Sequence, residues 1–123
     1  MERENASTVA VIDDDDEVLD VLRRLFEMAG HAVETYNSGR QFLNNAEFAN
    51  LACLVVDQRM PQMTGLELLS ELNRRGITIP ALLITGAPDA EVERHASSLG
   101  FMTVLEKPMS PQELLSFVSF STG

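Results

Sequence analysis

Short apolar runs rich in β-branched residues recur along the chain, and each has the length of a β-strand. The segments between these runs place their apolar residues at helical spacing, so strand and helix are predicted to alternate five times. The predicted strands cover residues 8–12, 32–36, 52–56, 80–85 and 102–105. Their spacing is that of right-handed strand–helix–strand crossovers, which build a parallel sheet.

The predicted helices begin and end at signals of their own. Gly30 ends the first helix, and the other four are predicted at about 39–49, 65–75, 89–99 and 111–120. Three starts show the capping-box pattern, in which a hydroxyl residue is followed three positions later by Glu or Gln. These pairs are Ser38 with Gln41, Thr64 with Glu67, and Ser110 with Glu113.

The three central strands are apolar on both faces, as in a sheet that is covered by helices on each side. We therefore predict an α/β fold, namely a (βα)5 doubly wound domain around a parallel five-stranded sheet. We expect residues 1–123 to form a single domain with its core at about 8–120, without a linker or a second module.

The charge and composition of the chain exclude several functions. The 123 residues include 19 Asp and Glu against 9 Lys and Arg, a formal net charge of −10, which disfavours direct nucleic acid binding. No apolar run approaches the roughly 20 residues of a membrane span, so no membrane contact is expected and the cytoplasm is the expected compartment. A single cysteine, Cys53, excludes an internal disulfide framework.

Polar residues follow four of the five predicted strands, at the edge where ligands bind in such a sheet. Asp13 and Asp14 follow the first strand, Asp57 the third, Thr85 ends the fourth, and Lys107 comes shortly after the fifth. Three carboxylates in a small volume repel one another unless a cation neutralises them. Because all the candidate ligands are oxygen atoms, Mg²⁺ or Mn²⁺ suits the site better than zinc.

Each of these residues also has a structural explanation. The acidic run could cap the first helix, for which Asp15 and Asp16 are the strongest candidates. Asp57 and Lys107 could form a purely structural ion pair, and Thr85 could be an ordinary β-branched residue at the end of a strand.

The polar motifs, taken in order, resemble the receiver domain of bacterial two-component response regulators, a CheY-like domain with a flavodoxin-like fold. The resemblance covers about residues 8–120 and is greatest to receivers of the FixJ and NarL type, which precede a DNA-binding module. It rests on the motifs VIDD at 11–14, VVDQRMP at 55–61, MTG at 63–65, ITG at 84–86 and EKP at 106–108.

The resemblance implies a role for each site residue in a phosphorelay. Asp57 would be the phosphoacceptor, receiving a phosphoryl group from a sensor histidine kinase to form an aspartyl phosphate. Asp13 and Asp14 would hold Mg²⁺ together with Asp57 and the backbone carbonyl of Arg59, with Mn²⁺ as a substitute. The domain would then be a signalling switch and not an enzyme, because it would catalyse only its own phosphorylation and dephosphorylation.

The resemblance assigns further residues to switching. Lys107 would contact the phosphoryl oxygens, and Pro108 would follow a cis peptide bond that orients this lysine. Thr85 would turn its hydroxyl toward the phosphoryl group. The family usually has Tyr or Phe three residues before the lysine, whereas this chain has Val104, which puts the usual coupling to the output face in doubt.

The resemblance also implies partners. These are a sensor histidine kinase, a second copy bound through the face of the fourth helix, fifth strand and fifth helix, and a C-terminal DNA-binding output domain outside this chain that controls transcription. Two alternatives remain open. One is an interaction module that works without phosphorylation, and the other is a small Mg²⁺-dependent phosphatase with Asp57 as nucleophile. Arg59 stands where such phosphatases commonly have a second aspartate, which argues against the latter.

Overall fold

Five strands and five helices alternate along the chain in the computed structural model, which describes residues 7–87 and 90–122, with the backbone alone at position 102. The strands are β1 (Thr8–Ile12), β2 (Ala32–Tyr36), β3 (Leu51–Asp57), β4 (Ala81–Thr85) and β5 (Phe101–Glu106). The helices are α1 (Asp16–Met28), α2 (Gly39–Asn45), α3 (Gly65–Arg74), α4 (Ala90–Leu99) and α5 (Pro111–Thr122).

All five strands run parallel in one sheet with the order β2-β1-β3-β4-β5. β3 is the central strand, and every one of its residues is buried, which explains its unbroken apolar sequence. The register places Ile12 beside Val56, Asp57 beside Ile84, and Thr85 beside Glu106. The carboxyl ends of β1, β3, β4 and β5 therefore meet at one edge of the sheet.

The helices cover the sheet on both faces, as the sequence predicts. One core contains Phe42 of α2, Leu68 of α3 and Ala96 of α4, and the other contains Phe26 of α1 and Phe117 of α5. Successive strand residues point to opposite faces, so β3 contributes alternate side chains to both cores. The prediction of a doubly wound α/β fold is confirmed.

Side-chain caps fix the starts of three helices where the sequence predicts them. Thr64 forms a complete capping box, because its hydroxyl accepts from the Glu67 N–H at 3.1 Å and the Glu67 carboxylate accepts from the Thr64 N–H at 2.9 Å. Ser38 and Ser110 accept from the N–H groups of Gln41 and Glu113. The Gln41 side chain accepts from the N–H of Asn37 at 2.7 Å, one residue before the cap.

The second predicted helix is too long at its C-terminal end. α2 ends at Asn45, Ala46 is extended, and a separate 3-10 turn occupies Phe48–Asn50. This break lets the ring of Phe48 pack edge-on against Phe42, with 5.5 Å between the ring centroids, before the chain enters β3. Packing between the turn and the core therefore outweighs the helical periodicity of the segment.

The other boundaries differ from the prediction by one or two residues. β3 gains a residue at each end, β4 begins one residue later at Ala81, β5 extends by one residue at each end, and α5 continues to Thr122. Position 89, the predicted start of the fourth helix, lies outside the described residues. No helix in the described ranges is long and apolar enough to cross a membrane.

Candidate functional site

Four polar side chains lie at the carboxyl edge of the sheet because the parallel register brings four strand ends there. Asp13 directly follows β1, Asp57 is the last residue of β3, Thr85 is the last residue of β4, and Lys107 directly follows β5. Asp13 and Asp57 are only 2% and 3% exposed, so burial makes their charges costly in the absence of a partner. Asp14, by contrast, is exposed.

The carboxylates of Asp13, Asp14 and Asp57 form a group that could hold a metal ion. One carboxylate oxygen of each residue lies within 4.8 Å of the other two. Mg²⁺ binds oxygen at about 2.0–2.1 Å in octahedral geometry, so oxygens on opposite sides of the ion lie about 4.2 Å apart. The all-oxygen donor set therefore fits Mg²⁺, with water completing the coordination shell, and an ion between the carboxylates would draw their oxygens together.

Asp13 is the member of this group whose charge is least favoured. Burial raises the pKa of its carboxyl from 3.8 to about 6, and the negative charge of Asp57 contributes in the same direction. A hydrogen bond from the Asp15 N–H to Asp13 Oδ1, at 2.9 Å, opposes this rise. A divalent cation at this position would stabilise the ionised carboxylate that burial disfavours.

Asp57 and Lys107 form the one ion pair that the described residues make at this edge. Lys107 Nζ lies 2.8 Å from Asp57 Oδ1. Burial raises the pKa of Asp57, although the ammonium group of Lys107 pulls it down. Burial alone would lower the pKa of Lys107, but the ion pair with Asp57 and the charge of Asp13 raise it overall. The peptide bond between Lys107 and Pro108 is cis, as expected from the resemblance.

Thr85 lies at the end of the neighbouring strand and is buried. Its hydroxyl oxygen accepts a hydrogen bond from the Ala87 N–H at 3.2 Å, which orients the hydroxyl toward the loop that follows β4. A cavity of about 390 Å³ opens between this loop and the loop that follows β3. Thr85, Ala87, Gln58 and Arg59 are among the residues that line it.

The loop from β3 to α3 packs directly on the end of β3. Gly65 is required there, because a Cβ at this position would lie 2.8 Å from the carbonyl oxygen of Asp57 and 2.7 Å from Leu83 Cδ1. Gln62 in the same loop has φ 72°, a left-handed conformation that is uncommon for a residue with a side chain. The side chain of Arg59 is exposed, and its backbone N–H helps to hold the Asp57 carboxylate.

Sequence reasoning quoted Gln58 and Gly65 within motifs but assigned neither of them a role in shaping this loop. The role of Gly65 could have been inferred, because glycine is a poor helix former and stands here at the first position of α3. Gln58 carries no such signal, and its hydrogen bonds to α3 are visible only in the folded chain.

Val104, the residue that stands where the resemblance leads one to expect Tyr or Phe, lies outside the carboxylate group. It is half-buried in β5, packs against the core on the α4 face of the sheet, and lies beside Leu83 in the sheet register. Together with Glu93, Ser97 and Thr103, it lines a surface groove of about 270 Å³ between α4 and β5. A short branched side chain thus occupies the position at which the resemblance leads one to expect an aromatic ring.

Comparison with known proteins identifies what the chain resembles. Residues 9–119 match the model of the response regulator receiver domain. Among curated proteins, the transcriptional regulatory protein FixJ of Azorhizobium caulinodans is 40% identical over 115 residues, 94% of this chain and 54% of FixJ. The response regulator protein TodT of Pseudomonas putida is 34% identical over 115 residues, 94% of this chain and 51% of TodT.

Solved structures give the same result. The structure of FixJ-N has a TM-score of 0.85 and 33% identity to this chain, and the match covers 94% of this chain and 93% of FixJ-N. The chain spans about half the length of FixJ and TodT, so it corresponds to one part of those longer regulators.

Proposed function

Because this chain belongs to the family of response regulator receiver domains, we propose that Asp57 accepts a phosphoryl group from a phosphohistidine of a sensor histidine kinase. An oxygen of the Asp57 carboxylate forms a bond to phosphorus, and the bond from phosphorus to the imidazole nitrogen breaks. The departing imidazole nitrogen keeps the electron pair, and because the other ring nitrogen carries a proton, the kinase is left with a neutral histidine side chain. Asp57 is then an aspartyl phosphate.

The observation that carries this proposal is the convergence of Asp57 with two carboxylates and one ammonium group at the same edge of the sheet. Phosphoryl transfer asks the protein mainly for alignment and for neutralisation of negative charge. Lys107, already 2.8 Å from Asp57 Oδ1, supplies positive charge for the incoming phosphoryl oxygens. An ammonium group held at this distance needs little movement to change partner from carboxylate to phosphate.

Asp13, Asp14 and Asp57, with the backbone carbonyl of Arg59, are the proposed ligands of Mg²⁺. When bound, the ion supplies charge neutralisation between the carboxylates and the phosphoryl oxygens. Burial of Asp13 and Asp57 keeps water away from their charges and strengthens their interaction with any cation held between them. Mn²⁺ has the same ligand preference and is expected to substitute for Mg²⁺.

Phosphorylation adds nearly two negative charges at a buried strand end, and the neighbouring loop provides a response. The Thr85 hydroxyl bonds to the Ala87 N–H in the structure, and turning it toward the phosphoryl group would release that bond. The loop after β4 then changes position and biases α4, which follows it. This is a switch that a partner can read on the face formed by α4, β5 and α5.

FixJ is described as a transcriptional regulatory protein, and this chain matches about half of its length. We propose that the receiver controls a DNA-binding output domain in the same way, within a two-component system that regulates transcription. The receiver would act through protein contacts and not by binding DNA itself, because its net charge of −10 opposes binding to phosphates.

The test is the intact mass of the protein after incubation with Mg²⁺ and acetyl phosphate. We expect the mass of one added phosphoryl group in the wild-type protein and in Asp16→Asn, a control that removes an exposed carboxylate at the start of α1. No addition is expected in Asp57→Asn or when a chelator removes the metal. Addition to Asp57→Asn would refute the assignment of the acceptor.

A second candidate is an interaction module that signals without phosphorylation, and Val104 is the observation that favours it. A short side chain at this position in β5 cannot make the large rotamer change of an aromatic ring. The mass measurement separates the two, because binding of Mg²⁺ without any added phosphoryl group would support the interaction module. Sustained turnover of a generic phosphomonoester would instead support a phosphatase.

A further inference from the structure

Gln58, the residue after the proposed phosphoacceptor, holds the beginning of α3 with both of its oxygen atoms. Its side-chain Oε1 accepts from the Leu66 N–H at 2.9 Å, and its backbone carbonyl accepts from the Gly65 N–H at 3.1 Å. The N–H of Gln58 donates to the Ile84 carbonyl of β4 at 2.8 Å. One residue thus links the end of β3, the end of β4 and the start of α3.

These bonds complete the N-terminus of α3. The first N–H groups of a helix have no partner within the helix and must be satisfied from outside. Thr64 satisfies the N–H of Glu67, and Gln58 satisfies those of Gly65 and Leu66. The Leu66 N–H is partly buried, so losing the Gln58 oxygen would leave a donor that water reaches poorly.

The loop between Gln58 and the start of α3 has features that require it to be held in place. It carries Gln62 with φ 72°, and Gly65 admits no side chain because a Cβ there would lie 2.8 Å from the Asp57 carbonyl oxygen. Arg59 is the first residue of this loop beyond Gln58. The side chain of Gln58, at the start of the loop, bonds to the backbone of Leu66 beyond its other end, eight residues further along the chain.

We propose that Gln58 is a positioning residue for the metal site: by clamping α3 to the end of β3, it holds the backbone of Arg59 beside the Asp57 carboxylate. This inference rests on the proposed function, in which the Arg59 carbonyl is a Mg²⁺ ligand. A backbone ligand cannot adjust by rotating a side chain, so its position depends on the loop that carries it. Loosening the clamp therefore weakens metal binding without removing any carboxylate.

The test compares three variants by titrating isotope-labelled protein with MgCl2 and following the amide signals by NMR. Gln58→Met keeps the length of the side chain but has no strong acceptor, and it is expected to weaken Mg²⁺ binding by roughly 3- to 10-fold, the factor that corresponds to one hydrogen bond. Gln58→Glu keeps an acceptor and is expected to bind Mg²⁺ at least as tightly as the wild type. The Leu66 amide is expected to exchange faster in Gln58→Met and at the wild-type rate in Gln58→Glu.

The matched control is Asn73→Ala. Asn73 lies at the other end of α3, and its side-chain amide donates to the Leu99 carbonyl at 2.6 Å, so this variant also loses one side-chain bond to the backbone. It is expected to lose stability but to bind Mg²⁺ as the wild type does. If Asn73→Ala and Gln58→Met weakened Mg²⁺ binding equally, Gln58 would support only the helix, and the proposal would be overturned.

Two further outcomes are decisive. Unchanged Mg²⁺ affinity in Gln58→Met, with faster exchange at Leu66, would overturn the positioning role. Gln58→Asn, whose side chain is too short to reach Leu66, serves in the same comparison if Gln58→Met does not fold. Wild-type protein that binds no Mg²⁺ would contradict the proposed function itself, and that result is seen before any variant is compared.

Discussion

Asp13 shows how a single buried carboxyl links metal binding to stability. Burial raises its pKa from 3.8 to about 6 in the folded chain, so the folded state binds the proton more tightly than the unfolded state does. Without metal, the free energy of unfolding is therefore expected to fall as the pH rises through this window. The loss from this group reaches about 3 kcal/mol at pH 7, and the raised pKa of Asp57 adds to it.

Replacing Asp13 by Asn should reduce this loss. In a buffer with chelator, we expect Asp13→Asn to be more stable than the wild type at pH 7, by about 1–3 kcal/mol, and to show a smaller pH dependence between pH 4 and pH 7. Urea unfolding at several pH values measures both quantities. Asp16→Asn, which removes an exposed carboxylate, serves as the control. If Asp13→Asn kept the pH dependence of the wild type, this would contradict the raised pKa of Asp13.

At the scale of elements, α4 is the helix that contributes the smallest volume of fully buried side chains to the core. Among its ten residues, all of them described, Ala96 is the one fully buried side chain. α1 buries Leu19, Leu22 and Phe26, and α3 and α5 likewise bury several large side chains each. Because few of its side chains are buried, local opening of α4 costs little free energy, which suits the element that shifts in the proposed switch.

Amide hydrogen exchange should reveal this difference between helices. We expect the amides in the middle of α4 to exchange about tenfold faster or more than those of α1 and α5, because each buried Leu or Phe that α4 lacks is worth roughly 1.5–3 kcal/mol of protection against opening. Equal protection in the three helices would show that contacts other than side-chain burial hold α4. The hydrogen bond from Asn73 to the Leu99 carbonyl anchors its C-terminal end and should protect the last turn better than the first.

At the scale of the whole molecule, each copy carries a net charge of −10, which opposes the association of two copies. The resemblance implies a second copy as the partner for the face of α4, β5 and α5, and like charges on two such domains repel each other. Salt screens this repulsion over about 10 Å at 0.1 M ionic strength. Dimerisation of the phosphorylated form is therefore expected to strengthen as salt is added.

Sedimentation with the phosphate analogue beryllofluoride tests this expectation. We expect a larger sedimentation coefficient with Mg²⁺ and the analogue than without them. Association is expected to be tighter at about 0.5 M NaCl than at about 0.05 M NaCl, because the lower salt concentration screens the charge repulsion less. Asp57→Asn, which removes the proposed acceptor, should remain unchanged by the analogue. A profile that the analogue does not alter would argue against the dimer as output.

The sequence by itself determined the order of strands and helices, the doubly wound fold, and which residues stand at the ends of the strands. These features follow from local patterns: apolar runs of strand length, helical periodicity, and caps such as Thr64. In a parallel sheet the strand ends share one edge, so the meeting of Asp13, Asp57 and Lys107 could also be predicted.

Only the tertiary structure decided where α2 ends, how strongly Asp13 resists ionisation, and what Gln58 does. Each depends on contacts between segments that the sequence pattern does not connect: Phe48 against Phe42, the Asp13 carboxyl against its buried surroundings, and Gln58 against the start of α3. Periodicity reports which face of an element is apolar, but desolvation and hydrogen-bond partners are set by which elements pack together.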